Sequence, residues 1–65
     1  MEAYQQRVVD EQLHLTEKLV KLIDFTTTAN YRALPEADRN LLIDQRHVMS
    51  SYNDILAERI ARFTA

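Results

Sequence analysis

The chain contains no glycine and a single proline, Pro35, in 65 residues. Without glycine a backbone has no cheap route into the left-handed conformations that tight hairpin turns need. Turn-rich β architectures are therefore disfavoured, as are the glycine-dependent phosphate and dinucleotide loops. Helix is what remains, and one segment breaks it: Thr26-Thr27-Thr28-Ala29-Asn30-Tyr31-Arg32-Ala33-Leu34. Three β-branched threonines followed by Asn make a poor helix interior and a good turn. Pro35 then suits a first helical position, with Glu36 and Asp38 near the positive end of the helix dipole. The pattern predicts a helix over about 3–25, a turn over about 26–34 and a helix over about 35–63. Two long helices on a short connection make an antiparallel helical hairpin. The expectation is one all-α domain, residues 1–65, with Tyr31 and Leu34 tucked against the closed end.

Small domains need a staple, and the two commonest are missing. The chain has no cysteine, so disulfides and thiolate zinc sites are excluded. A chain this short buries only ~60% of its unfolded surface. Self-association is the staple left. Ten Asp and Glu against eight Lys and Arg give a formal net charge of −2. That disfavours a dedicated duplex-DNA binder, though a few well-placed cations can still hold a small anion. The longest apolar run, Leu41-Leu42-Ile43, is far too short to span a membrane. The polar start, MEAYQQRVVDEQ, does not read as a secretory signal.

On a helical wheel, Tyr4, Val8, Leu15, Leu19 and Leu22 form one apolar row of the first helix. Val9, Leu13, Val20 and Ile23 form a second row beside it. In the second helix Leu41, Val48, Tyr52 and Ile55 form one row, and Leu42, Met49, Leu56, Ile60 and Phe63 the next. Each helix thus carries more apolar width than one partner helix covers. An isolated hairpin would expose an apolar patch of the kind that marks an interface, so a homo-oligomer is expected.

Catalytic patterns are absent. There is no Cys nucleophile, His14 and His47 lie on different helices, and no HExxH or DxDxDG spacing occurs. The histidines read as ordinary surface residues, and neither a metal nor a cofactor is implied. The flank of the first helix says more. Arg7, His14 and Lys21 recur every seven residues, with Tyr4, Glu11 and Lys18 in the adjacent row. Tyr4, Arg7, Lys18 and Lys21 therefore share one edge. Its plain reading is a solvated face; its sharper reading is an anion site beside a stacking platform. Arg59 is a second oddity, lying in the row of Leu41 and Tyr52, where an unpartnered Arg is costly. It either snorkels or pairs with a carboxylate such as Glu58 or Asp54 of a neighbouring subunit, or it projects into an intersubunit cavity that receives an anion. Gln45 is expected to point inward, and Arg62 to lie near the edge of the same face.

Taken in order, Tyr4-Gln5-Gln6-Arg7-Val8-Val9-Asp10-Glu11, Glu17-Lys18-Leu19, Lys21-Leu22 and Phe25 lead to Gln45, Met49, Tyr52, Ile55-Leu56 and Arg59-Ile60. Over nearly the whole chain this spacing resembles the hairpin domain shared by two kinds of phage anti-defence sponge. One kind counters cyclic-oligonucleotide-based antiphage signalling (anti-CBASS), the other the Thoeris system. The combination RVVxE, EKLxKLxxF and QxxxMxxYxxILxxRI carries the resemblance. It implies hairpins assembled into a homohexameric helical bundle, in the bacterial host cytoplasm, that sequesters cyclic nucleotide messengers without degrading them, and hence no enzyme. It also implies two site types. One takes cyclic dinucleotides between protomers, with Tyr4 stacking on a base and Arg7, Lys18 and Lys21 neutralising phosphates. The other takes cyclic trinucleotides near a three-fold axis, through Arg59 and then Arg62. Lys18 and Lys21 fit the motif equally. Relative to the family pattern this chain starts directly at the hairpin, so a preceding short helix and the site wall it supplies are expected to be missing. No further domain is seen, and no binding of cyclic ADP-ribose isomers is carried over.

Two readings from other classes compete. One is a Rop-like hairpin dimer that binds structured RNA through a helix face. The other is an oligomerisation module with no ligand.

Overall fold

The computed structural model describes residues 1–64 and is helical throughout its ordered elements. Helix α1 runs Ala3–Phe25, a single turn of helix α2 spans Ala29–Arg32, and α3 runs Glu36–Ala61. A 3-10 turn, Arg62–Thr64, extends α3. The Cα atoms occupy a rod of 45 × 14 × 14 Å, which is α1 laid antiparallel on α3.

The three threonines do end α1, but not as an open turn. The hydroxyls of Thr26, Thr27 and Thr28 donate to the carbonyls of Ile23, Asp24 and Phe25 at 2.6, 2.7 and 2.7 Å. The backbone amides of the same three threonines donate to the same carbonyls at 3.2, 3.1 and 3.0 Å, so hydroxyl and amide together close the helix end, where many helices use a left-handed glycine. No described residue has a positive φ. The expected nine-residue turn is shortened by α2. Thr28 begins it, its hydroxyl accepting from the Tyr31 amide at 3.2 Å, and the Arg32 guanidinium donates to the Thr27 carbonyl at 3.1 Å. Tyr31 and Leu34 are half-buried, and the Tyr31 ring meets Phe25 edge-on at 6.1 Å. Pro35 is the N-cap of α3 rather than its first helical residue. Its carbonyl accepts from the Arg39 amide, 3.1 Å away.

The seam between the helices follows a strict heptad. On α1 the shielded positions are Gln5, Val8, Gln12, Leu15, Leu19, Leu22 and, just past its end, Thr26. On the opposing strand of the hairpin they are Arg39, Leu42, Arg46, Met49, Asn53, Leu56, Ile60 and Phe63. Steps of three and four alternate without interruption, the mark of coiled-coil packing. Val9, Ile23 and Ile43 are half-buried at its edges. Register is fixed along the rod by Tyr4 against Phe63, whose rings meet edge-on at 6.1 Å, and by the Thr16 hydroxyl donating to Asn53 Oδ1 at 3.2 Å.

Among the described residues only Val8 and Leu56 are buried, Leu56 completely. The row Leu42, Met49, Leu56, Ile60 and Phe63 faces α1, whereas the adjacent row does not. Leu41, Val48, Tyr52 and Ile55 are 66, 68, 40 and 54% exposed. Leu13 and Val20 of α1 are also exposed, and so is Tyr4. Gln45, expected to point inward, is exposed and donates to Met49 Sδ at 3.7 Å. It lies on the row that α1 leaves uncovered, so inward on the wheel is outward in this hairpin.

Candidate functional site

The register of the hairpin decides what stands beside the cationic edge of α1. Because Thr16 bonds to Asn53, Tyr52 of α3 comes level with the middle of α1. The result is a groove of about 480 Å³ lined by Arg7, Asp10, Glu11, His14, Leu15 and Lys18 of α1 and by Tyr52. Arg7, Glu11, His14 and Lys18 fall at alternating steps of four and three, so one face of α1 presents them in a line. Among the described residues, none of Arg7, His14 and Lys18 takes part in the side-chain hydrogen bonds of α1, which run from the Glu2 amide to Gln5 Oε1 at 2.9 Å, from Gln6 to Asp10 Oδ1 at 3.0 Å and from Thr16 to Asn53. Arg7, His14 and Lys18 are all exposed, so their donors are available to an anion. Asp10 and Glu11 in the same groove offer acceptors. It therefore suits a ligand that carries both a phosphate and hydrogen-bond donors, with an aromatic wall on the α3 side.

Of the four residues expected to share the edge, the groove brings together Arg7 and Lys18. Tyr4 stands at the open end of the rod, 52% exposed, with its ring held by Phe63. Lys21 is exposed one turn beyond Lys18, outside the groove lining. Tyr52 is the groove residue that wheel reasoning assigned to the apolar row alone. Its second role depends on which residues of α1 lie opposite, and only the hairpin register supplies that.

Arg59 and Arg62 are exposed at the far end of α3, close to the negative end of its dipole. They line neither this groove nor a second depression on the rod. The second depression, about 350 Å³, lies on the uncovered row and is lined by His47, Val48, Ser51, Tyr52 and Ile55. The two histidines thus stand in different hollows. Among the described residues no cluster of three or more His, Cys, Asp or Glu could hold a metal ion, and no helix is long and apolar enough to cross a membrane.

Comparison with known proteins agrees with the arrangement of the motifs. A protein of Enterobacteria phage T4, described as an uncharacterized 7.5 kDa protein in the denB-rIIB intergenic region, is 36% identical over 63 residues, covering 97% of this chain and 98% of the phage protein. No solved structure matches. The Sequestin family matches over residues 2–62, all three helices and the first residue of the 3-10 turn. The chain belongs to the Sequestin family, in keeping with its resemblance to phage sequestering proteins.

Proposed function

We propose that this protein captures cyclic oligonucleotide messengers stoichiometrically, in a homo-oligomer of hexamer size, and releases them chemically unchanged. The observation that carries this reading is the pair of unengaged cations, Arg7 and Lys18, with His14 between them, lining one groove of nucleotide size with the Tyr52 ring. Membership of a family named for sequestration supports capture over turnover.

In this reading Arg7 and Lys18 neutralise phosphates, with Lys21 extending the cationic edge. Tyr4 and Tyr52 offer faces to the bases. A base stacked on an aromatic ring gains ~1–3 kcal/mol, and the edge contact with Phe63 holds the Tyr4 ring in place before any ligand arrives. Tyr4 and Lys18 are fourteen residues apart, which is about 21 Å along a helix. A compact cyclic dinucleotide touching Tyr4 of one chain therefore reaches a Lys18 supplied by another, so the complete site is shared between protomers. Arg59, followed by Arg62, is proposed for cyclic trinucleotides, one Arg from each of three chains. Both side chains are exposed and outside the groove, which leaves them available for such a site. Capture of a bacterial messenger places the protein in the host cytoplasm.

The test is calorimetric titration with a cyclic dinucleotide and a cyclic trinucleotide, on the parent chain and on three variants. R7A and K18A should lose dinucleotide binding while the helical content holds. R59A should lose the trinucleotide and keep the dinucleotide. Dinucleotide binding unchanged in both R7A and K18A would refute the groove assignment.

A further inference from the structure

We propose that His14 is a proton-linked phosphate contact, so that capture in the α1 groove tightens as pH falls from about 8 to about 6, the range in which imidazoles gain charge. The proposal rests on the reading of this groove as the cyclic nucleotide site, and adds a residue and a regulation that the reading leaves open. Position is its first support. His14 follows Arg7 by seven residues and precedes Lys18 by four, about 10 and about 6 Å along the helix. All three line one groove. His14 and Lys18 therefore stand one turn apart on one face, close enough to hold a single phosphate between them. The imidazole is exposed and takes no part in the side-chain hydrogen bonds of α1, so its ring nitrogens can turn to a ligand.

Charge is the second support. Around His14 the groove sets two carboxylates, Asp10 and Glu11, and two cations, Arg7 and Lys18, and Tyr52 is the lining residue that α3 supplies. A bound phosphodiester adds a negative charge to that set. A neutral imidazole offers one N–H donor, whereas the imidazolium offers two and a positive charge. The phosphate therefore prefers the protonated ring, and by linkage its binding draws a proton from solvent onto His14. The added affinity is fully present at low pH and fades as pH rises through the range where the ligand-bound ring gives up its proton. Among the side-chain types that line the groove, imidazole is the one that ordinarily changes charge between about pH 5 and 8. His47 supplies the contrast. It lines the second depression with Val48, Ser51, Tyr52 and Ile55, a lining with no Lys or Arg to share a phosphate.

Calorimetric titration of the full chain with cyclic di-AMP and cyclic di-GMP, at about pH 6 and about pH 8 and constant ionic strength, tests this. Because solvent screens an exposed contact, the parent's affinity should be about three- to tenfold higher at the lower pH. Near neutral pH the binding heat should differ between buffers of small and large ionisation enthalpy, the mark of proton uptake. H14Q should bind equally at both pH values, with the parent's weaker affinity and no buffer dependence. H14K keeps a cation at both and should bind equally, at least as tightly as the parent at the lower pH. H47Q should retain the parent's pH dependence. A parent affinity that ignores pH and buffer, or a pH dependence that survives in H14Q, overturns the role of His14 and leaves the groove assignment standing. A parent chain that binds neither nucleotide at either pH overturns both.

Discussion

The two faces of α3 carry the same kind of code and meet different fates. Leu42, Met49, Leu56, Ile60 and Phe63 repeat at coiled-coil spacing and pack on α1, with Leu56 wholly enclosed. One residue around the helix, Leu41, Val48, Tyr52 and Ile55 repeat at the same spacing and face solvent. Propensity does not distinguish the rows, since they share a helix. What distinguishes them is a partner: a two-helix hairpin has one seam to close, and this helix carries two. The covered face holds the fold of a single chain, while the uncovered face is apolar surface beyond what that fold uses.

The sharpest way to break this comparison is to make the same kind of cut on both faces. L56A opens a cavity at the one fully enclosed side chain and should cost about 2–5 kcal/mol, read as a large fall in the chemical-denaturation midpoint. In so thin a molecule that is a large share of the total stability. V48A removes a comparable group from the exposed row. Measured at concentrations where the chain is monomeric, it should shift stability by no more than about 0.5 kcal/mol. If the two variants lose similar stability as monomers, the uncovered row is not uncovered and the account of the two faces fails.

A second expected effect lies on α1. K18A should weaken cyclic dinucleotide binding by at least about tenfold, the loss of one charge-assisted phosphate contact, while K21A should weaken it less. Titration of both variants against the parent decides between two lysines that the motif alone leaves equal. A larger loss in K21A would move the ligand out of the groove towards the closed end. A further modest effect belongs to the helix end. T27A removes a single hydroxyl-to-carbonyl bond at an exposed position and should cost about 0.5–1.5 kcal/mol. Thermal unfolding of the T26A/T27A/T28A triple variant should sharpen this, since it strips the whole hydroxyl cap and with it the start of α2.

Much of this architecture was legible in the sequence, and the exceptions share one cause. The break at Thr26-Thr27-Thr28 and the start near Pro35 follow from local chemistry: β-branching, hydroxyls and a fixed φ. The apolar rows follow from periodicity. The polar members of the seam do not. Gln5, Gln12, Arg39, Arg46 and Asn53 occupy shielded heptad positions, but a reading that counts apolar residues passes over them. Arg39 even brings its Nε out of solvent without a partner. Gln45 shows the same limit in reverse, placed inward because the wheel cannot say which of two rows the partner helix will cover. The candidate site divides in the same way. Arg7 and Lys18 share an edge by helix geometry alone. Tyr52 joins them only through the register set by Thr16 and Asn53, a relation between residues 37 apart that no local pattern contains. Phe63, packed on Tyr4, was likewise visible as an apolar position but not as the support of that ring.

The central claim is capture without turnover, and it is most directly tested by titrating the purified protein with a cyclic dinucleotide and then recovering the ligand by heat denaturation for mass spectrometry. The account predicts tight binding at one dinucleotide per two chains, with the ligand recovered intact. Linear or cleaved product would contradict sequestration, and the absence of heat with both cyclic di- and trinucleotides would remove cyclic nucleotides as its cargo.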